Sequence, residues 1–392
     1  MSATPREPSP GAVPSLRRRR VMIVAGEASG DLHGADLAAQ ILARDPECEL
    51  FGIAGERMRA AGVRALTRTE DIAGLGFVEL ASTIRRTLGV LRELKATVRR
   101  ERLDLVILID FAEFNMSLAR AAKSAGVPVL YYITPQVWAW RRGRVARIIE
   151  RTDRLAVVLP FEAELYAGAG SRVTFVGHPL LDRVAPAQDR AATLKRHGLP
   201  AYGRLLALLP GSRRGEVRYL LRPMVEAARV IEADHGLTPV IALAPTLTLA
   251  QLREEGRVSL DGIWVIEGDT YSIVAASELA LAASGTATLE TALLGCPMVV
   301  AYKASPVTYA LARMLVRGVD FLAMPNILAG REVVPEFIQG RVNVRNLVRA
   351  AENLMIEPLR TETRDALLAL RARLGEPGAA ARVAAIALEM ML

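Results

Sequence analysis

Residues 278–302 read ELALAASGTATLETALLGCPMVVAY, and the reading of this stretch decides the fold. The run 278–283, ELALAA, has the length and apolarity of a buried strand, and 297–302, PMVVAY, reads as the next one. Residues 286–294 between them are then a crossover helix, so the unit is a strand, a helix and a parallel strand. Ser284 and Gly285 fall at the turn, where small residues let the backbone approach a ligand. The free N–H groups and positive end of a helix beginning at Thr286 favour phosphate. Glu290, one turn in, is placed to accept hydrogen bonds from sugar hydroxyls. Judged alone, the stretch also reads as a serine cap on an ordinary helix, so its neighbours must decide.

The same alternation runs outward in both directions. Upstream, Leu205 to Leu209 is a strand followed by PGSRRGEV, in which Gly211 and Ser212 open the turn and Arg213 and Arg214 are placed to grip phosphate. The spacing and the missing lysine exclude a Walker loop. Residues 239–243 and 263–266 supply further strands of a second Rossmann-like domain. Downstream, MPNILAGREVVPEFIQG is turn-rich, with Asn326 among its polar points, and 342–392 is helical by composition and period.

The first half has its own set of strands. VMIVA at 21–25 leads into GEASGDLHGADLAAQIL, whose Gly26, Ser29, Gly30 and Asp31 suit either a phosphate or sugar loop or a plain turn into a helix. The spacing is not G-x-G-x-x-G, which disfavours a nicotinamide site. LVILI at 105–109 ends on Asp110, and strand ends of this kind are where open α/β sheets bind ligands. Glu113 and Asn115 follow at the same mouth; two nearby carboxylates either push one pKa upward, as a general base requires, or one of them simply caps the helix. Strands at 128–133, 154–159 and 173–176 continue the pattern. Gln136, Trp138 and Trp140 precede an arginine-studded helix. The polar, irregular segment 183–204 contains the domain boundary. Residues 72–100 contain a basic amphipathic helix preceded by Leu75, Phe77 and Val78; it either packs on its own domain or dips into a lipid interface.

Composition narrows the function classes. The chain has 392 residues, enough for two cores, and no apolar run reaches the roughly 18 residues of a membrane span. Residues 1–19 read as a disordered basic tail without the apolar segment of a secretory signal. Cys48 and Cys296 lie far apart and the histidines show no ligand spacing, so a disulfide framework or zinc site is not expected and the cytoplasm is the default compartment. A net charge of +8 suits nucleic acid, an anionic membrane surface or an acidic substrate, while only 5% aromatic content weakens a single-strand-binding platform.

Two Rossmann-like halves with these turns resemble the GT-B glycosyltransferases, a class whose fold also covers nucleotide-sugar epimerases. The ordered motifs GEASGDLHGA, YYITPQVWAWRRGRV, LPFE, FVGHPL, LPGSRRGEV, SGTATLETALLGCPMVVAYK and PNILAGREVVPEFIQ resemble the lipid-A-disaccharide synthase family from Gly26 to Gln339. The resemblance implies two parallel sheets facing a central cleft. It divides the chain into an acceptor and lipid domain at 20–185, a UDP-sugar domain at 186–341 and C-terminal helices at 342–392. It implies inverting transfer of 2,3-diacylglucosamine from its UDP conjugate to 2,3-diacylglucosamine 1-phosphate (lipid X), giving the β-1,6-linked lipid A disaccharide 1-phosphate and UDP, without a cofactor or metal. Asp110 is similar in position to the base, with Glu113 beside it. Gly211, Ser212, Arg213, Ser284, Gly285, Thr286, Glu290 and Asn326 fall on the nucleotide-sugar side. Gly26, Ser29, Gly30, Asp31 and Gln136 fall on the acceptor side. The resemblance further implies a cytoplasmic enzyme held peripherally at the anionic inner membrane of a Gram-negative-type bacterium, and it admits a homodimer. One departure concerns the base loop. The family pattern is D-x-P-D-F-N, whereas this chain has DFAEFN, so Ala112 replaces proline and Glu113 reaches one methylene further than aspartate.

The sequence admits two rivals: another GT-B enzyme such as a nucleotide-sugar epimerase, and a basic nucleic-acid-binding protein. The epimerase needs no lipid contact, and a nucleic-acid binder needs its arginines in one stripe, whereas they scatter over both halves.

Overall fold

A computed structural model describes residues 18–72, 80–135, 142–184, 189–306, 308–310 and 320–392. Within these, short apolar runs form the strands of two all-parallel sheets. The first contains β1 (Arg20–Ala25), β2 (Glu49–Ala54), β3 (Arg64–Arg68), β4 (Leu105–Ile109), β5 (Val129–Tyr132), β6 (Arg154–Val157) and β7 (Val173–Phe175), in the order β3-β2-β1-β4-β5-β6-β7. The second contains β8 (Arg204–Leu209), β9 (Leu237–Leu243), β10 (Trp264–Glu267), β11 (Leu279–Ala283), β12 (Met298–Tyr302) and β13 (Glu336–Ile338), in the order β10-β9-β8-β11-β12-β13. Residues 279–302 fold as read, with helix Thr286–Leu293 crossing between β11 and β12. Strands β2, β3 and β13 went unread because β2 is interrupted by Gly52, while β3 and β13 are short, mixed-polarity edge strands.

Register places the ligand ends. Each sheet reverses its strand order once, between β1 and β4 and between β8 and β11, and crevices form at such points. Ala25 pairs with Ile109, so residues 26–31 lie beside Asp110. Leu209 pairs with Ala282, so residues 210–213 lie beside Ser284.

The two units share a core. One cluster of buried side chains runs from Ile23 and Leu37 through Leu209 and Leu289 to Val383. Residues 342–392, expected as one helical segment, divide between the units. Helix Val344–Met355 packs on helix Arg214–His235 of the second unit, whereas helix Ala379–Glu389 returns to pack on helix Ala28–Arg44 of the first. Arg382 donates to the Val176 carbonyl at 2.9 Å, and Arg154 pairs with Glu389 at 3.0 Å, fixing that return. Of the residues expected as a tail, Arg18 pairs with Glu47 and Arg19 with Asp45, while residues 1–17 lie outside the described residues.

Among its described side chains, the basic helix Leu80–Arg100 turns three residues of its apolar stripe into the domain. Leu91, Leu94 and Val98 are buried in the core that holds Met22 and Leu108, while Leu88 remains 46% exposed. Leu75, Phe77 and Val78 lie outside the described residues.

Candidate active site

At the mouth of the first sheet the chain leaves β4 in an uncommon conformation. Asp110 and Phe111 have φ of 46° and 49°, in the left-handed region that aspartate tolerates better than most residues. Neighbours hold the turn through its backbone. The Tyr131 hydroxyl donates to the Asp110 carbonyl at 2.8 Å, and the Asn115 amide donates to the carbonyls of Asp110 at 2.7 Å and Ile109 at 3.1 Å. Phe111 stacks on Phe114 and covers Gly26, where a Cβ would lie 2.2 Å from the Phe111 ring. Gly26 is therefore required by close packing, whatever it also offers a ligand.

This geometry leaves the Asp110 carboxyl largely desolvated. Burial, reinforced by the charge of Glu27, pushes it up to about 6, while the Phe111 N–H and Arg213 oppose the rise. A carboxyl with this pKa is half ionised near pH 6 and suits general-base work at neutral pH. The second carboxylate at the mouth is Glu27, two residues past β1. Glu113, expected in that role, points outward with its side chain 68% exposed and pairs with Arg144. Helical direction explains the difference: Glu113 lies in the first turn of helix Ala112–Ser124, already turned toward solvent.

The remaining acceptor-side candidates divide. The Asp31 carboxylate accepts from the amides of Arg57 at 3.0 Å and Met58 at 3.1 Å, and so caps helix Glu56–Ala60. Gly30 lets helix Ala28–Arg44 close on β1, since its Cβ would sit 3.3 Å from that of Ala25. Ser29 is exposed in the first turn of that helix. Gln136, with Trp138 and Trp140, lies outside the described residues.

At the second mouth, Gly211 has φ of 116°, and its missing Cβ makes room for Glu216, whose carboxylate would lie 2.3 Å from it. Glu216 accepts from the amides of Ser212 at 2.8 Å and Arg213 at 3.3 Å, and so takes the anion position at the start of helix Arg214–His235. The Arg213 guanidinium reaches the other way and donates to Glu27 at 2.8 Å, joining the two switch points. The Ser284 hydroxyl donates to the Leu322 carbonyl at 3.3 Å, and Gly285 (φ 150°) and Thr286 are exposed where helix Thr286–Leu293 begins.

Two candidates of the second unit are engaged internally. Glu290 is largely buried and accepts from the Tyr271 hydroxyl at 2.8 Å; burial raises its pKa and that hydrogen bond lowers it. Asn326 is fully buried. Its oxygen accepts from the amides of Val333 and Val334, and its amide donates to the Val334 carbonyl and to Glu336. Asn326 therefore braces the loop leading into β13.

Sequence reading missed Glu27 and Tyr131. Glu27 lies inside GEASGD with no local signal of a role, and the β1–β4 register that sets it beside Asp110 is not a local property.

Two all-parallel sheets whose switch points meet through a charged pair, with a desolvated carboxyl beside it, make the GT-B fold. The fold is shared with UDP-GlcNAc 2-epimerase from Neisseria meningitidis bound to UDP-GlcNAc (TM-score 0.61, 13% identity, 94% of this chain and 100% of that chain). It is shared also with Acinetobacter baumannii MurG (TM-score 0.57, 13% identity, 95% and 99%). Sequence settles the family: the lipid-A-disaccharide synthetase model matches residues 21–389, and the chain belongs to that family. Lipid-A-disaccharide synthases of Syntrophus aciditrophicus and Geobacter metallireducens are 45% and 43% identical to it, over 96% and 95% of this chain and 99% and 97% of theirs. That of Myxococcus xanthus is 41% identical over 95% of this chain and 97% of its own. The chain is accordingly a hexosyltransferase.

Proposed function

We propose that the chain transfers 2,3-diacylglucosamine from its UDP conjugate to the 6-hydroxyl of lipid X, forming the β-1,6-linked lipid A disaccharide 1-phosphate and UDP. The observation that carries the reading is Asp110, a largely desolvated carboxyl at the first switch point, facing the Arg213 guanidinium from the second. In this reading residues 20–185 hold the acceptor and 186–341 the donor. Asp110 takes the hydroxyl proton, the acceptor oxygen bonds to C1 of the donor sugar, and the C1–O bond to UDP breaks from the opposite face, inverting that carbon. Arg213 and the amides opening helix Thr286–Leu293 stabilise the charge collecting on the departing diphosphate.

Release of UDP by the purified protein tests this. Release is expected with both lipid substrates together and not with UDP-N-acetylglucosamine alone. Turnover of UDP-N-acetylglucosamine without acceptor would instead favour an epimerase-like enzyme. Nucleic acid is disfavoured, because many arginines are already engaged: Arg20 with Glu49 and Glu101, Arg204 with Glu278, and Arg214 and Arg218 with Glu255.

The same reading includes peripheral docking on an anionic inner-membrane surface. No helix of the described residues is long and apolar enough to cross a membrane. Exposed Leu88 with exposed Arg85, Arg86 and Arg92 supports an interfacial contact by helix Leu80–Arg100. Flotation with anionic liposomes, lost at high salt, is the expected result; equal flotation with neutral liposomes would refute the electrostatic part.

A further inference from the structure

The residues that join the two switch points have a use beyond holding the units together. Glu27 follows β1, Asp110 follows β4, and those strands are paired neighbours. Arg213 arrives from the other unit and donates to Glu27 at 2.8 Å. Both partners are partly open to solvent, with side chains 68% and 46% exposed, so the pair is weak and easily exchanged. The amides of Ser212 and Arg213 are already held by Glu216, which leaves the exposed Arg213 guanidinium as the group this loop can offer an anion. A diphosphate carries more negative charge than one carboxylate and repels Glu27 from any shared cation.

We propose that the Glu27–Arg213 pair is an exchange contact: the donor diphosphate draws Arg213 away, and the freed Glu27 carboxylate strengthens Asp110 as a base for the acceptor hydroxyl. The inference rests on the reading of Asp110 and Arg213 given above. Glu27 is thus a positioning residue that acts through Asp110 and couples occupancy of the donor side to readiness on the acceptor side.

The charged groups around Asp110 are consistent with this. Glu27 raises its pKa and Arg213 lowers it, so removing Arg213 from the pair leaves the raising charge uncompensated. From β5, Tyr131 is fully buried and its pKa is raised well above the ordinary value, so it stays neutral. From helix Ala112–Ser124, Glu113 is paired with Arg144.

The test compares Glu27→Gln, Glu27→Asp and Arg213→Ala by UDP titration calorimetry at pH 8 and by the pH profile of turnover at saturating donor, with melting curves as the folding check. Glu27→Gln is expected to bind UDP about two- to fivefold more tightly, the release of an exposed ion pair. It should also lower the turnover plateau and move its acid limb to lower pH. Tighter nucleotide binding with slower turnover is a combination that structural damage does not produce. Glu27→Asp keeps the charge but shortens the reach, so it should bind UDP more tightly while its acid limb stays near that of the parent. Unchanged UDP affinity in both Glu27 variants, with Arg213→Ala still losing affinity, overturns the exchange and leaves the proposed function standing. Unchanged affinity in Arg213→Ala overturns the assignment of the phosphate site itself.

Discussion

Replacing Asp110 by asparagine removes the proposed base while sparing its surroundings. Asparagine tolerates the left-handed φ of 46° found there, and the bonds from Tyr131 and Asn115 go to the main-chain carbonyl, which the substitution keeps. Alanine would add about 1 kcal/mol of backbone strain and blur the result. General-base catalysis is worth roughly 10²–10⁴ in rate, or about 3–5 kcal/mol of barrier, so turnover should fall by that factor. UDP affinity should stay within about twofold, because the lost group acts on the acceptor hydroxyl. The pH profile supplies a second readout. With Asp110 at about 6, about one tenth of the parent is ionised at pH 5 and about nine tenths at pH 7. The parent rate should climb across that window, and the residual rate of Asp110→Asn should not. UDP release measured with both lipid substrates from pH 5 to 8 gives both quantities. A variant within threefold of the parent, or one that keeps the same acid limb, would refute the assignment.

Other substitutions probe the rest of the site. Arg213→Ala should weaken UDP binding by about 1.5–3 kcal/mol, the range for a hydrogen bond to a charged group, and calorimetry showing no loss removes Arg213 from the phosphate site. Asn326→Ala strands the amides of Val333 and Val334 in the interior, so it should cost about 1–3 kcal/mol per stranded group in denaturant unfolding; an unchanged midpoint would show that its role lies with ligand instead. Burial lowers the pKa of His33 from 6.5 to about 4, so it is neutral both folded and unfolded above pH 6.5. As pH falls from 6.5 to 4 the unfolded chain gains a proton that the folded chain refuses, and stability should drop by up to about 3 kcal/mol. His178, lowered to about 3, adds to the same slope, so His33→Gln should lose only part of the difference in unfolding midpoint between pH 7 and pH 4.5, and a variant that keeps all of it contradicts the burial argument.

Much of the fold is local in origin and was legible in the chain. The apolar runs at 21–25, 105–109, 205–209, 279–283 and 298–302 have no polar face to show, so they fit only a sheet covered on both sides, and helical segments between them force parallel crossovers. Strand ends followed by glycine or serine then mark the ligand side without reference to any other part of the molecule. Asp110 was identified in this way, because its position at the end of LVILI is a property of the sequence alone.

Only the tertiary structure decided what each candidate does, because hydrogen-bond partners and desolvation depend on residues distant in the chain. Asp31 and Asn326 look like site residues in sequence, yet each is used by backbone amides of a neighbouring segment. Glu113 lies three residues from Asp110 but faces solvent, whereas Glu27 lies 83 positions away and acts on it, because the register of β1 with β4 sets the mouths of the two strands side by side. Arg213 approaches from a second sheet, and helix Ala379–Glu389 crosses back to brace the first. Electrostatic effects fall with distance through space, so the charges that act on Asp110 became identifiable only once the two switch points were brought together.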